Sequence, residues 1–140
     1  MFIELYRKEP VKMEGFESSE VWQISRQIVH NIYKLTNKFP KKETYNLISQ
    51  MRRAALSMPS NIAEGFGRYH YLTRIVFFYN ARGSLFELKS HLMIAKDLSY
   101  IDVTTYNQTF QELSKLGVKL NNLINKTYSL SKNSSRKKFL

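Results

Sequence analysis

The apolar residues of "ETYNLISQMRRAALSMPSNIAEGF" recur every three to four positions straight through a proline. Leu47, Met51, Ala55, Met58, Ile62 and Gly65/Phe66 share one face, and Pro59 does not interrupt their phase. A loop has no reason to keep a 3.6-residue period across such a residue. The segment therefore reads as one helix over about residues 43–66, kinked at Pro59. The proline cannot donate to the Ala55 carbonyl, and its ring crowds that group. Gly65 and Gly67 let the helix end at little steric cost.

Only five glycines and three prolines punctuate the 140 residues, and the helical period recurs in three further blocks. A first helix is expected over about 18–38, capped by Ser18 or Ser19 with Glu20 in its first turn. Its stripe is Val21, Ile24, Ile28, Ile32 and Leu35, and "FPKKET" breaks it at Pro40. A third helix, about 71–98, carries two nearly opposite stripes. One is Leu72, Ile75, Val76, Tyr79, Gly83, Phe86 and Met93; the other is Phe78, Ala81, Leu85, Leu88, Leu92 and Ala95. A peripheral bundle helix needs one apolar face. Either this helix is central, or its second face meets another subunit, for which Phe78, Ala81, Leu85, Leu88 and Leu92 are the interface candidates. The fourth helix, about 104–130, buries Tyr106, Phe110, Leu113, Leu116, Leu120, Leu123 and Ile124. The expected fold is all-α, an up-down-up-down four-helix bundle over 16–130. Residues 1–15 read as an N-terminal leader and 131–140 as a basic, flexible tail.

There is no cysteine, which removes disulfides, thiolate metal sites and thiol nucleophiles together. The opening residues hold no apolar run of signal-peptide length, and no segment approaches a membrane span. A cytoplasmic location is the expectation. The net charge is +11, from 22 Lys+Arg against 11 Asp+Glu. Residues 1–17 carry −1, residues 131–140 carry +4 and the body carries +8, so the excess is not confined to a tail. A basic body is the footprint expected of a partner rich in phosphates. Net charge alone equally serves solubility.

On the second helix Arg53, Ser57, Ser60, Glu64 and Arg68 fall opposite the apolar stripe, with Asn61 at the border. Small hydroxyls and an amide flanked by arginines can bond phosphate or ribose. They can equally form a solvated or subunit-facing surface with ion pairs. "GFGRYHYLTR" interleaves Arg68 and Arg74 with Tyr69, His70 and Tyr71, the pattern of single-strand recognition by stacking and backbone clamping. A turn whose rings pack on the bundle end has the same composition. Gly65 and Gly67 make no phosphate loop, because the Lys-Ser/Thr ending and the preceding strand are missing. His30, His70 and His91 lack metal-ligand spacing. Glu64 and Glu87 lack the Glu-x-x-His pattern of di-metal bundles, so ion pairs with Arg53, Arg74 or Arg82 are expected of them. Trp22 reads as a core anchor.

"QMRRAALSMPSNIAEGFGR" resembles the motif of the four-helix-bundle proteins encoded in intervening sequences of bacterial 23S ribosomal RNA genes. "FESSEVWQISRQIVHNIYKLTNKFP" is similar to that family's first helix, and "FFYNARGSLFELKSHLMIAKDLSYI" to its third. The likeness covers roughly residues 16–127. The family in turn resembles the accessory protein of diversity-generating retroelements, a ring-forming bundle that works with a reverse transcriptase. The resemblance implies a left-handed bundle assembled as a pentamer; it does not imply a reaction. The matching positions are Arg52, Arg53, Ser57, Pro59, Asn61, Glu64, Gly65 and Arg68, then Gly83, Ser84 and Glu87. The turn "GRYHYLTR" departs from the family's small polar cap and Lys-Glu pair, which puts a shared role for it in doubt.

The expectation is a non-enzymatic homo-oligomer that contacts RNA or another nucleic acid electrostatically, with no metal and no cofactor. Arg52, Arg53, Ser57, Ser60, Asn61, Arg68 and Arg74 are the candidate contacts. Pro59, Glu64, Gly65, Gly83, Ser84 and Glu87 form the structural motif. The rival is an accessory module that recruits a nucleic-acid enzyme such as a reverse transcriptase through protein contact.

Overall fold

The computed structural model describes residues 15–138; the expected leader, apart from Gly15, lies outside them. Among the described residues are four α-helices and no strand. We number them α1 (Glu20–Thr36), α2 (Leu47–Phe66), α3 (Tyr71–Asp97) and α4 (Val103–Lys138). Short connections make consecutive helices antiparallel neighbours, the up-down-up-down arrangement the sequence implies.

Three of the four helices begin where a side chain accepts from a free N–H group; α3, behind His70, has no such cap. The Ser19 hydroxyl accepts from the Trp22 amide at 3.4 Å, and Glu20 lies in the first turn of α1. The second helix starts at Leu47, four residues later than the periodicity suggests. Behind Pro40 the chain makes a 3-10 turn, Lys41–Glu43, instead. Glu43 then serves α2 from outside it. Its carboxylate accepts from the Leu47 amide at 3.3 Å and from the Tyr100 hydroxyl of the α3–α4 turn at 3.0 Å. Burial, and then the neighbouring Glu43 carboxylate, push the Tyr100 hydroxyl pKa up. Asp102 caps α4 by accepting from the Thr105 amide at 2.7 Å, which holds its carboxyl below the ordinary range. The stabilisation this cap gives is complete above that ordinary range and fades as pH falls through the lowered value.

The core is the set of stripes the helical period defines. Ile28 and Ile32 of α1, Met51, Met58 and Ile62 of α2, and Leu113, Leu116 and Leu120 of α4 are fully or almost fully buried. Trp22 packs on this core from its margin, with its ring 4.9 Å from that of Phe16. Ser25 and Thr36 also lie inside. Their hydroxyls donate to the Trp22 and Ile32 carbonyls, each at 2.7 Å, so neither polar group is stranded.

α2 runs unbroken through Pro59. Beyond the proline it presents Gly65 to α3. A Cβ at Gly65 would lie 2.5 Å from Cε1 and 2.8 Å from Cδ1 of Phe78, a ring with no exposed surface. The missing side chain therefore lets α3 approach. Gly67 and Arg68 close the helix by donating their amides to Ala63, Glu64 and Gly65 carbonyls.

Two expectations are corrected here. Phe78, Ala81, Leu85, Leu88 and Leu92 are not an interface between subunits: all five are at most 2% exposed inside the single chain, because α3 turns that stripe toward the other three helices. The opposite stripe, Leu72, Val76, Tyr79, Phe86 and Met93, stays 45–62% exposed. The tail is also not frayed through 131–138, since α4 continues to Lys138. No glycine or proline follows Gly117 to stop it, and the Lys132 ammonium sits 5.1 Å from the Tyr128 ring centre one turn back.

Replacing Gly65 by alanine is expected to destabilise the fold by about 1–3 kcal/mol through overpacking against Phe78. Urea denaturation measures it, and an unchanged midpoint would show that Phe78 has room to move.

Candidate nucleic-acid interface

The polar residues singled out on α2 do not share one surface. They divide among three places, each set by the neighbour that the residue meets.

Along the seam between α2 and α3 the polar groups satisfy one another. Arg53 pairs with Glu87 of α3 and also donates to the Gln50 side chain at 2.9 and 3.2 Å. His91 Nε2 lies 3.4 Å from the same Glu87 oxygen. One turn further along, the hydroxyls of Ser57 and Ser84 meet at 2.8 Å. The Asn61 amide donates to the Ser57 carbonyl at 2.8 Å and to its hydroxyl at 3.0 Å. The Ser57–Ser84 and Arg53–Glu87 contacts thus fasten α2 to α3, and Asn61 braces Ser57 within α2. The expected ion pair of Glu87 is present. Glu64 is exposed and makes no ion pair among the described residues. Ser60 is exposed on the outer side of α2, and Pro59 is half-buried.

Arg52, one position from Arg53, points to α1. Its Nε donates to the Thr36 hydroxyl and its Nη2 to the Asn37 side chain, each at 2.9 Å. Its guanidinium lies over the Tyr33 ring, 4.6 Å from the centroid. A planar, forked cation suits this combination of stacking and paired donation, which a lysine does not reproduce. Of the candidate contacts, Arg52 and Arg53 are therefore hydrogen-bonded within the chain. Successive positions on a helix point about 100° apart, and here the two flanks meet different helices.

The third place is the α2–α3 turn and the end of α4 beside it. Arg68 lies over Phe77, 4.6 Å from its centroid. Arg74 lies over Tyr71 at 5.3 Å and donates to the Arg68 carbonyl at 2.7 Å. These contacts aim the two guanidinium groups without neutralising them, and neither forms an ion pair among the described residues. Tyr69 is 89% exposed, and its ring meets that of His70 at right angles, 5.1 Å apart. α4 outlasts α3 by nine residues, 36 against 27, or about 13 Å of helix. Its end stands against the turn, so that Tyr69, His70 and Arg74 face Ser131, Ser134 and Ser135 across an open cleft of about 530 Å³.

The charge of this end has a simple origin. Residues 65–86 and residues 113–140 contain no acidic residue, while they hold three and seven bases respectively. One of those bases, Lys119, is used elsewhere, pairing with Glu20 of α1 at 2.8 Å. That bond and the ammonium charge hold the Glu20 carboxyl below its ordinary range. Joining the two acid-free stretches needed the pairing of α3 with α4, but each gap between acids was visible in the sequence. Among the described residues no group of three His, Asp or Glu side chains is arranged to hold a metal ion, and no helix is long and apolar enough to cross a membrane.

Comparison with known proteins agrees with this architecture. The family model described as 23S rRNA-intervening sequence protein matches residues 17–122. The fold is similar to that of a protein of unknown function from the S23 ribosomal protein family of Bacteroides thetaiotaomicron VPI-5482, seen in a 1.70 Å crystal structure. The two share 19% identity with a TM-score of 0.67, over 74% of this chain and 97% of that one. A comparison with curated proteins returned no match.

The division of the arginines predicts unequal effects on stability. Arg52→Ala is expected to lower it by about 1–3 kcal/mol, the scale of hydrogen bonds from a charged donor. Arg53→Ala or Glu87→Gln is expected to cost less than about 1 kcal/mol, since that pair is largely exposed. Denaturant titration of the three variants checks the order.

Proposed function

The chain belongs to the 23S rRNA-intervening sequence protein family, and on that premise we propose that it is a non-enzymatic, cytoplasmic bundle that binds RNA electrostatically as a homo-oligomer. The observation that carries this reading is the basic end. Arg68 and Arg74 are positioned by stacking and by a backbone hydrogen bond, lack an acidic partner among the described residues, and stand beside the acid-free end of α4. Fixed cations of this kind displace condensed counterions from a phosphate backbone. The resulting affinity is strongly salt-dependent and weakly selective for sequence. Ser57, bonded to Ser84, and Arg53, paired with Glu87, hold α2 against α3, and Asn61 braces Ser57 within α2.

The self-association has its own support. The outer stripe of α3 leaves Leu72, Val76, Tyr79, Phe86 and Met93 exposed along one helix face. Gly83 sits in the middle of that stripe, and a Cβ there would meet nothing within 4 Å. A glycine in a helix interior costs up to about 1 kcal/mol relative to alanine, and no contact among the described residues requires it. A second helix lying across the stripe would. A pentameric ring is the proposed stoichiometry, and it would repeat the basic end once per subunit. The same stripe is what favours the second reading, an accessory module that docks on a nucleic-acid enzyme.

Two measurements test the proposal. Affinity for a structured RNA is expected to fall steeply between 50 and 200 mM salt, and Arg68→Gln or Arg74→Gln to reduce the slope of log K against log salt by about 1 each. Binding that ignores salt contradicts the reading. Native mass spectrometry is expected to show one closed oligomer that Phe86→Glu converts to a helical monomer. A wild-type monomer would leave the stripe to a different protein and favour the accessory role.

A further inference from the structure

We propose that the cleft between the α2–α3 turn and the end of α4 takes unpaired nucleotides of a single strand, with a base stacked on Tyr69. The proposal rests on the nucleic-acid reading above and narrows it from any phosphate-bearing polymer to one with free base faces.

Three observations carry it. Tyr69 is 89% exposed, while Phe66 and Phe78 nearby are drawn into the core or against it. Its contact with His70 is edge-on, which leaves a ring face open to solvent. An exposed tyrosine face contributes nothing to the core of the bundle. Beside Arg68 and Arg74 it is instead a platform on which any base can stack while the guanidinium groups hold the flanking phosphates.

The second observation is shape. The cleft, open to solvent and about 530 Å³ in volume, has room for a strand of unpaired nucleotides. Duplex RNA keeps its base faces stacked on one another, so Tyr69 could reach only backbone and groove edges there.

The third is the chemistry of the opposite wall. Ser131, Ser134 and Ser135 recur at helical spacing on the side of α4 that lines the cleft. Hydroxyls both donate and accept, so Ser134 and Ser135 suit sugar and phosphate oxygens without adding charge, while Ser131, which donates to the Tyr128 carbonyl at 2.9 Å, offers its lone pairs. Lys132 and Lys126 flank them on the same helix, and neither this stretch nor residues 65–86 contains an acid to repel a backbone.

Fluorescence anisotropy with an unstructured 12-nucleotide RNA and a blunt RNA duplex of equal length, at one salt concentration, tests the proposal. Tyr69→Ala is expected to weaken single-strand binding roughly 5- to 150-fold, the loss of one base-aromatic stack, and to leave duplex binding within about twofold. Tyr69→Phe keeps the ring and is expected to bind as the wild type does. Arg68→Gln is expected to weaken both ligands. Because Tyr69 lies outside the core, its variants should melt with the wild type, which separates a lost platform from a lost fold.

If the wild type binds both RNAs and Tyr69→Ala binds them equally well, the stacking site is wrong and the electrostatic function stands. Equal weakening on both ligands also overturns the stacking site. If the wild type binds neither RNA at low salt, the nucleic-acid reading itself fails.

Discussion

The bundle depends on α2 remaining a single helix through Pro59 and on the absence of a side chain at Gly65. The first keeps one apolar face in register from Leu47 to Ile62. The second lets the Phe78 ring of α3 sit against the α2 backbone. Close approach brings Ser57 to Ser84 and Arg53 to Glu87, so the polar seam follows from the apolar contact. It also fixes where α2 stops. The turn that carries Arg68, Tyr69 and His70 is therefore held at a defined place beside α4. The same packing turns the second stripe of α3 outward, so the proposed assembly surface and the basic end share a cause.

Periodicity made the helices legible because each buries a continuous stripe, and the stripe of α2 survived a residue that favours breaks. It was less informative at the helix ends. Glu43 looks like the first residue of α2 but caps it from a 3-10 turn, a role that depends on Tyr100, 57 residues away. The end of α4 looks like a tail because it is polar and basic. It is helical since nothing in it stops a helix already in progress. The two stripes of α3 were both visible, yet composition could not say which faced inward. Phe78 and Leu85 go inside because Gly65 and Gly117 come within reach of them; the outer stripe has only Gly83, with open space before it.

The functional residues were legible by type and not by grouping. Arg52 and Arg53 are adjacent in sequence, and both are candidate contacts by type. Their hydrogen bonds run to α1 and α3 respectively, and those partners come from tertiary packing. Conversely, Tyr69 and Ser131 are 62 positions apart and line one cleft. Membership of the 23S rRNA-intervening sequence protein family fits this division. Of the positions on which the resemblance rests, Arg53, Ser57, Gly65, Ser84 and Glu87 meet across the α2–α3 seam.

Ultraviolet crosslinking of the bound RNA, followed by mapping of the modified residues by mass spectrometry, tests the central claim most directly. The account predicts adducts concentrated in residues 68–74 and 126–138. Adducts concentrated instead at residues 50–61 or along α1, with the basic end unmodified, would contradict it.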